Sequence, residues 1–439
     1  MDLFSKIEEQ LPPWRERVNR LTKIYGNLKV CDVTVEQIYG GIRGVQIQVS
    51  DISYVDPMLG IRLRGYTIPE LLEDLPKAPG SNYPLTGGLF YLLMVNEFPT
   101  QADAEMVEAE WKQRSVVPDY VYDVLRALPA DTHPMTLFST AILALQRESV
   151  FASDYAGGSV RKPDYWKGYL EDSLNLTAKV PALAAFIYNH RYRGGQVIDP
   201  DPNLDWSANF AHMIGIDDEE YKDLCRLFFF LHSDHEGGNV SAHASHLVAS
   251  ALSDVYYACS AGMNGLAGPL HGLANQECIR WLLGVRDQVG EHPTREQVEA
   301  CVSRTLDEGQ VIPGYGHAVL RTTDPRFTAQ LDYGWRVMPD DDLFQLVNLV
   351  YDVVPDLLEK QGKVKNPYPN VDAINGTMQY HYGVKEFDYY TVLFGVSRIL
   401  GLTTHAVWSR ALQKPIERPK SLTTKMLEEL ITSAYFHRS

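Results

Sequence analysis

The sequence predicts a mainly α-helical protein with one small N-terminal β-hairpin. Three observations carry that reading. Apolar residues recur at helical spacing through most of the chain, strand-like alternation is confined to residues 45–64, and no internal repeat or long Ser/Gly linker interrupts the pattern. A chain of 439 residues exceeds what one small core usually organises. Two or three domains, or one large domain with an insert, are therefore expected, joined by short ordered connections.

The hairpin comes first. Val45, Ile47 and Val49 alternate with Gln46, Gln48 and Ser50, and Ile61 and Leu63 alternate with Arg62 and Arg64. Asp56-Pro57 and Gly60 supply the turn between them. Further on, Pro163 opens a helical segment holding Trp166, Tyr169 and Leu170, which Pro181 is expected to interrupt before Leu183–Tyr192. Thr294-x-x-Gln297 is a capping-box pattern ahead of a helix ending near Gly309. Pro339-Asp340-Asp341-Asp342 places acidic residues at the positive end of a helix dipole. Leu343, Leu346, Val347, Val350, Val353, Val354, Leu357 and Leu358 follow at helical spacing, with Pro355 expected to kink or divide the helix. Tyr390 to Leu412 is apolar on most faces, as a buried helix is.

Composition narrows the function. Apolar residues at 45% and charged residues at 22% exclude a disordered chain. The formal net charge of −16 (40 basic, 56 acidic residues) argues against nucleic acid or an anionic membrane as partner. No apolar run approaches the roughly 18 residues of a membrane span. An anionic substrate must be drawn in by a local group of Arg and Lys. Five cysteines, widely spaced and without C-x-x-C, suggest free thiols in a reducing compartment. The N-terminus has neither a signal-peptide nor a transit-peptide pattern. The expectation is a cytoplasmic protein or, if a presequence was removed, a mitochondrial one.

Histidines mark the candidate chemistry. His232, His235, His243 and His246 crowd one stretch, which raises a metal site, yet no H-E-x-x-H, cysteine or paired carboxylate completes a ligand set. Hydrogen-bonded core histidines are the plainer reading. His271 in Gly268-Pro269-Leu270-His271-Gly272 and His317 in Pro313-Gly314-Tyr315-Gly316-His317 sit among glycines, which let backbone approach a ligand closely. Alone, either is a loop histidine between helices. Asp372 ends a loop stiffened by Pro367 and Pro369, as a positioned carboxylate or as the cap of the next helix. Arg321, Arg326, Lys363, Lys365, Arg398 and Arg418 gather near these motifs, which on so acidic a chain suggests an anion site.

Six segments in one order resemble the citrate synthases of the eukaryotic type. They are His232–Gly238, Met263–Gly272, Val311–Arg321, Asn366–Asp372, Phe394–Arg398 and Glu417-Arg418-Pro419-Lys420, and the likeness runs from about Arg43 to Lys420. The resemblance implies a large helical domain, 1–273 completed by 383–439, and a smaller one, 274–382, that close over the substrates. It implies a Claisen condensation of an acyl-CoA with oxaloacetate and hydrolysis of the thioester, with no metal and no cofactor, acyl-CoA being a substrate. Asp372 matches the base, His271 the donor to the thioester oxygen, and His317 the group that polarises the oxaloacetate ketone. His235, Arg326, Arg398 and Arg418 match the residues that hold the oxaloacetate carboxylates, Arg418 reaching across a homodimer interface. Arg43, Arg161, Arg321, Lys363 and Lys365 match CoA-contacting cations.

One segment departs. After the base the family usually continues Ala-His-Ser-Gly, whereas this chain has Ala373-Ile374-Asn375-Gly376. Ile374 and Asn375 are therefore candidates for an altered acyl pocket. An alkylcitrate synthase taking a longer acyl-CoA is the favoured reading. An ordinary citrate synthase with acetyl-CoA, or a 2-methylcitrate synthase with propionyl-CoA, is the alternative. A few methylenes are discriminated by only about 1–3 kcal/mol. Two readings of other classes stand beside these: a metal-dependent hydrolase built on the His232–His246 cluster, and a non-catalytic helical binding protein.

Overall fold

The computed structural model describes residues 2–436, and these are helical apart from one three-stranded antiparallel sheet in the order β1-β2-β3. β1 is Ser53–Asp56, β2 is Gly60–Leu63 and β3 is Tyr66–Thr67; Ser53 lies opposite Leu63 and Asp56 opposite Gly60. The expected first strand is thus displaced. Residues 45–50 form no strand, and Ile47 and Val49 are 49% and 72% exposed, so their alternation meets no core. β1 itself carries little apolar alternation, because one of its inward-facing positions is the polar Ser53. Arg64 and Gly65, at φ +50° and +92°, make the tight turn into β3.

The helix Tyr390–Ala411 is buried along nearly its whole length and packs against the helices Tyr165–Tyr192, Val240–Ser250 and Val255–Leu266. Capping follows the sequence. Thr294 and Gln297 form both bonds of the capping box that starts the helix Arg295–Asp307. Asp341 caps the helix Asp342–Gln361 by accepting from the Phe344 N–H at 2.9 Å.

The two prolines expected to break helices do not. Tyr165–Tyr192 runs unbroken through Pro181, because the Thr177 carbonyl that loses its helical donor accepts from the Trp206 indole N–H at 2.8 Å instead. Asp342–Gln361 likewise passes through Pro355, with the nearby Asp352 carbonyl accepting from Arg295 at 3.0 Å. Among the described residues, no helix is long and apolar enough to cross a membrane. The five cysteines are free thiols.

The helices Ala274–Val289, Arg295–Asp307, Pro325–Val337, Asp342–Gln361 and Asp372–His381 pack on one another. The Pro325–Val337 helix also meets Ile68–Asp74 and Glu219–Leu231.

Candidate active site

Two loops far apart in sequence are stitched into one surface. Tyr315 and Pro369 form an isolated β-bridge, and the Asn370 N–H donates to the Gly314 carbonyl at 2.8 Å. The Gly316 N–H donates to the Tyr368 carbonyl at 3.1 Å, and the Asn370 side-chain amide donates to the Gly316 carbonyl at 3.1 Å. Gly314 must be glycine here: its φ is +80°, and a Cβ would lie 2.7 Å from the Ala373 Cα. The Asp324 N–H donates to the Pro369 carbonyl at 3.1 Å, which adds the start of the Pro325–Val337 helix to the same junction. His317, Arg326 and Asp372 are thereby gathered.

The tautomers of both histidines follow from their backbone partners. His317 Nδ1 accepts from the Val319 and Leu320 N–H groups, both at 3.0 Å, so the hydrogen of the neutral ring is on Nε2 and points away from its own loop. His271 Nε2 accepts from the Ser241 N–H at 3.3 Å with the Ser241 hydroxyl 3.0 Å away, so its hydrogen is on Nδ1. Burial, then the Arg398 charge, lowers His271 to about 4. Burial, then Arg326, lowers His317 as well. Among the described residues, each of the two neutral imidazoles keeps one N–H donor without a partner.

Asp372 opens the helix Asp372–His381, but its carboxylate is not used as a cap. Its N–H donates to Asn370 at 2.9 Å, and its Oδ1 is 3.5 Å from the Asn375 amide nitrogen. Burial lifts its carboxyl from 3.8 to about 6, against the pull of Arg326 and Arg398.

The cations sit behind. Arg326, 5% exposed, pairs with the fully buried Asp324 at 2.7 Å, and the same carboxylate caps the helix by accepting from the Arg326 N–H at 3.0 Å. Arg398 is 1% exposed; it donates to the His232 carbonyl at 3.1 Å, to Asn239 at 3.2 Å and to Ser241 at 3.4 Å, and lies 4.7 Å over the Phe394 ring. Among the described residues it makes no direct ion pair, although Asp234 and Asp372 act on its charge from further off, so its guanidinium can meet an anion. His235 stands 5.8 Å from His317, ring to ring, and is held neutral by burial and by Arg326 and Arg398. The next residue, Glu236, has φ +61°. Its N–H donates to Ser53 at 2.8 Å, Ser53 donates to Asp234 at 2.5 Å, and His405 meets the same Asp234 oxygen at 3.0 Å.

His235, His271, His317, Arg326, Asp372 and Arg398 therefore converge. Other expected residues lie elsewhere. Arg418 is exposed, on a segment held by Glu417, whose N–H donates to Ser250 at 3.0 Å. Arg321 turns back on its own loop, donating to the Val319 carbonyl at 2.8 Å and the Leu320 carbonyl at 2.6 Å. Arg43, Lys363 and Lys365 are exposed and make no ion pair among the described residues, while Arg161 lies 4.0 Å from Asp164. Ile374 is fully buried in the core, and Asn375 is fully buried in a polar network, so neither opens on to a pocket wall.

The histidine cluster splits. His232 donates from Nδ1 to the Phe228 carbonyl at 3.0 Å, whereas His243 and His246 face Glu417 at 3.5 and 2.8 Å. Burial lowers His246 to about 4, so that contact is a neutral imidazole donating to a carboxylate. Among the described residues, no three His, Cys, Asp or Glu side chains group as metal ligands.

Asp324, Ser241, Asn239, Ser53 and Asn375 in its present role were not anticipated. Only Asp324 had a usable signal: Asp-Pro at a helix start, two residues before an arginine.

Residues 41–420 match the family described as "Citrate synthase, C-terminal domain". A protein named "Probable citrate synthase, mitochondrial" from Glossina morsitans morsitans is 50% identical over 430 residues, covering 98% of this chain and 92% of that one. "Citrate synthase, mitochondrial" from Xiphias gladius is 49% identical over 431 residues, with the same coverage of 98% and 92%. The crystal structure of citrate synthase from Pyrobaculum aerophilum superposes with a TM-score of 0.76 at 27% identity, over 88% of this chain and 92% of that one. The chain belongs to the citrate synthase family.

Proposed function

We propose that the protein is a citrate synthase that joins the methyl carbon of acetyl-CoA to the ketone carbon of oxaloacetate and hydrolyses the resulting thioester to citrate and free CoA. The observation that carries this is that two paired loops bring His317 and Asp372 to one junction with the buried Arg326, with the ring hydrogen of His317 on Nε2 and that of His271 on Nδ1. A thioester methyl is a weak acid. Asp372 removes its proton while His271 Nδ1–H bonds the thioester oxygen as negative charge develops there. The enol carbon attacks the oxaloacetate ketone, whose oxygen receives the His317 Nε2–H. Arg326, Arg398 and His235 hold the oxaloacetate carboxylates, and water then cleaves the thioester. No metal or cofactor takes part.

Acetyl-CoA replaces the longer acyl donor as the favoured substrate. The longer-acyl expectation rested on the altered segment after the base, in which Thr377, Gln379 and His381 also depart, and its pocket candidates Ile374 and Asn375 turn into the interior. The relatives that match nearly the whole chain are named citrate synthases.

A homodimer with Arg418 contributed across the interface belongs to the same reading. Leu21, Ile24, Leu28, Ile416, Leu422 and Met426 are exposed on two arms of the chain, which meet where the Tyr39 hydroxyl lies 3.2 Å from that of Thr424. Arg43, Arg161, Arg321, Lys363 and Lys365 are proposed for the CoA phosphates. Residues 274–382 are proposed as a smaller domain that closes on the rest, supported by the mutual packing of their five helices. A mitochondrial location is proposed from the names of the relatives.

The test offers oxaloacetate with CoA esters from acetyl to dodecanoyl, reading thiol release together with product mass, with and without a chelator. Fastest turnover with acetyl-CoA, citrate as product and indifference to the chelator are expected. Preference for a long ester restores the alkylcitrate reading, and loss of activity with chelator restores the metal hydrolase.

A further inference from the structure

Asn375 lies one helical turn beyond Asp372, where the family ordinarily has serine. It is wholly buried, and its bonds fix its orientation. The Phe228 carbonyl can only accept, so His232 Nδ1 carries the hydrogen and His232 Nε2 must accept. The Asn375 side-chain nitrogen, 2.9 Å away, is its donor. The Asn375 oxygen in turn accepts from the Gln330 amide at 2.6 Å. With one amide hydrogen on His232 and the oxygen clamped by Gln330, the second hydrogen is aimed at Asp372 Oδ1, 3.5 Å away.

We propose that Asn375 is a positioning residue for the base: a Gln330–Asn375–His232 clamp holds an uncharged N–H donor against the Asp372 carboxylate, orients it, and sets the pH at which it is competent. This rests on the citrate synthase reading. The clamp adds no charge beside the base, because amide and imidazole are both neutral. A neutral donor favours the ionised carboxylate, so its loss makes Asp372 bind its proton more tightly. The charged and titratable groups facing Asp372 are Arg326 and Asp324 at the start of the Pro325–Val337 helix, Arg398 on the Tyr390–Ala411 helix and the buried Cys278 thiol on the Ala274–Val289 helix. None of these belongs to the clamp, so a change at residue 375 leaves them in place. The departure from the family sequence next to the base then acts on its proton affinity, with no change in the acyl pocket.

The test measures kcat against pH, both substrates saturating, for the wild type, Asn375→Ala and Asn375→Ser, with thermal melts alongside. Asn375→Ala is expected to move the acid limb upward by roughly half to one pH unit and so to lower kcat by about 1.2- to 2-fold near pH 7, and by roughly three- to tenfold below pH 6, with the oxaloacetate KM little changed. Asn375→Ser, which keeps a donor, is expected to recover part of both. If Asn375→Ala does not fold, Gln330→Met, which releases the clamp, is expected to show the same upward movement. An acid limb that stays put in a folded variant, while the wild type turns over, overturns the clamp and leaves the citrate synthase reading standing. A wild type that condenses no acyl-CoA with oxaloacetate removes both.

Discussion

Replacing the base should make the protein more stable and inactive together. Asp372→Asn is the perturbation. In the folded state the Asp372 carboxyl protonates near 6 rather than at its ordinary 3.8, chiefly because it is buried. For an acid whose folded value is raised, keeping it ionised costs stability. The cost is full above about 6 and vanishes below 3.8. The interval of about 2, at 1.36 kcal/mol each, comes to about 3 kcal/mol at pH 7.5 and roughly half of that at pH 5. Asparagine occupies the same volume and cannot ionise, so the variant should gain about 1–3 kcal/mol at pH 7.5, with a smaller gain at pH 5. Condensation should fall by roughly 10²–10⁴-fold, the usual worth of a positioned base. Denaturant midpoints at the two pH values and a thiol-release assay measure both quantities. A variant less stable than the wild type at pH 7.5, or a gain that does not shrink toward pH 5, would refute the account of a carboxylate held ionised against burial.

Two other outcomes are expected. Asp324→Ala leaves Arg326 buried without its partner and should destabilise the fold by about 3–5 kcal/mol, read as a lower denaturant midpoint, while raising the KM for oxaloacetate. Glu417→Ala removes the acceptor shared by His243 and His246 and should speed proteolytic cleavage in the segment 413–423 with only a small change in global stability, since Glu417 and His243 are partly exposed.

The helices were legible where capping and periodicity coincided. Thr294 with Gln297, and the acidic run before Leu343, carry their own hydrogen-bond logic within a few residues. His271, His317 and Asp372 were legible because glycine and proline flank them in long motifs. The groups that set their tautomers and protonation were not. Ser241 meets His271, Ser53 meets Asp234 and Asn375 meets His232 across large sequence separations, through small polar side chains that periodicity treats as neutral. The hairpin was misplaced for a related reason, since a buried serine reads as a solvent position. The prolines misled because a helix is judged locally, whereas Trp206 repairs Pro181 from another element.

That repair also makes the proline a keyhole. An amide hydrogen at position 181 would share the Thr177 oxygen with the Trp206 indole, since a carbonyl can accept twice. The proline ring brings no such hydrogen, so the oxygen that the helix leaves unserved turns to the indole. The helix Trp206–Met213 is tied to its neighbour through that atom.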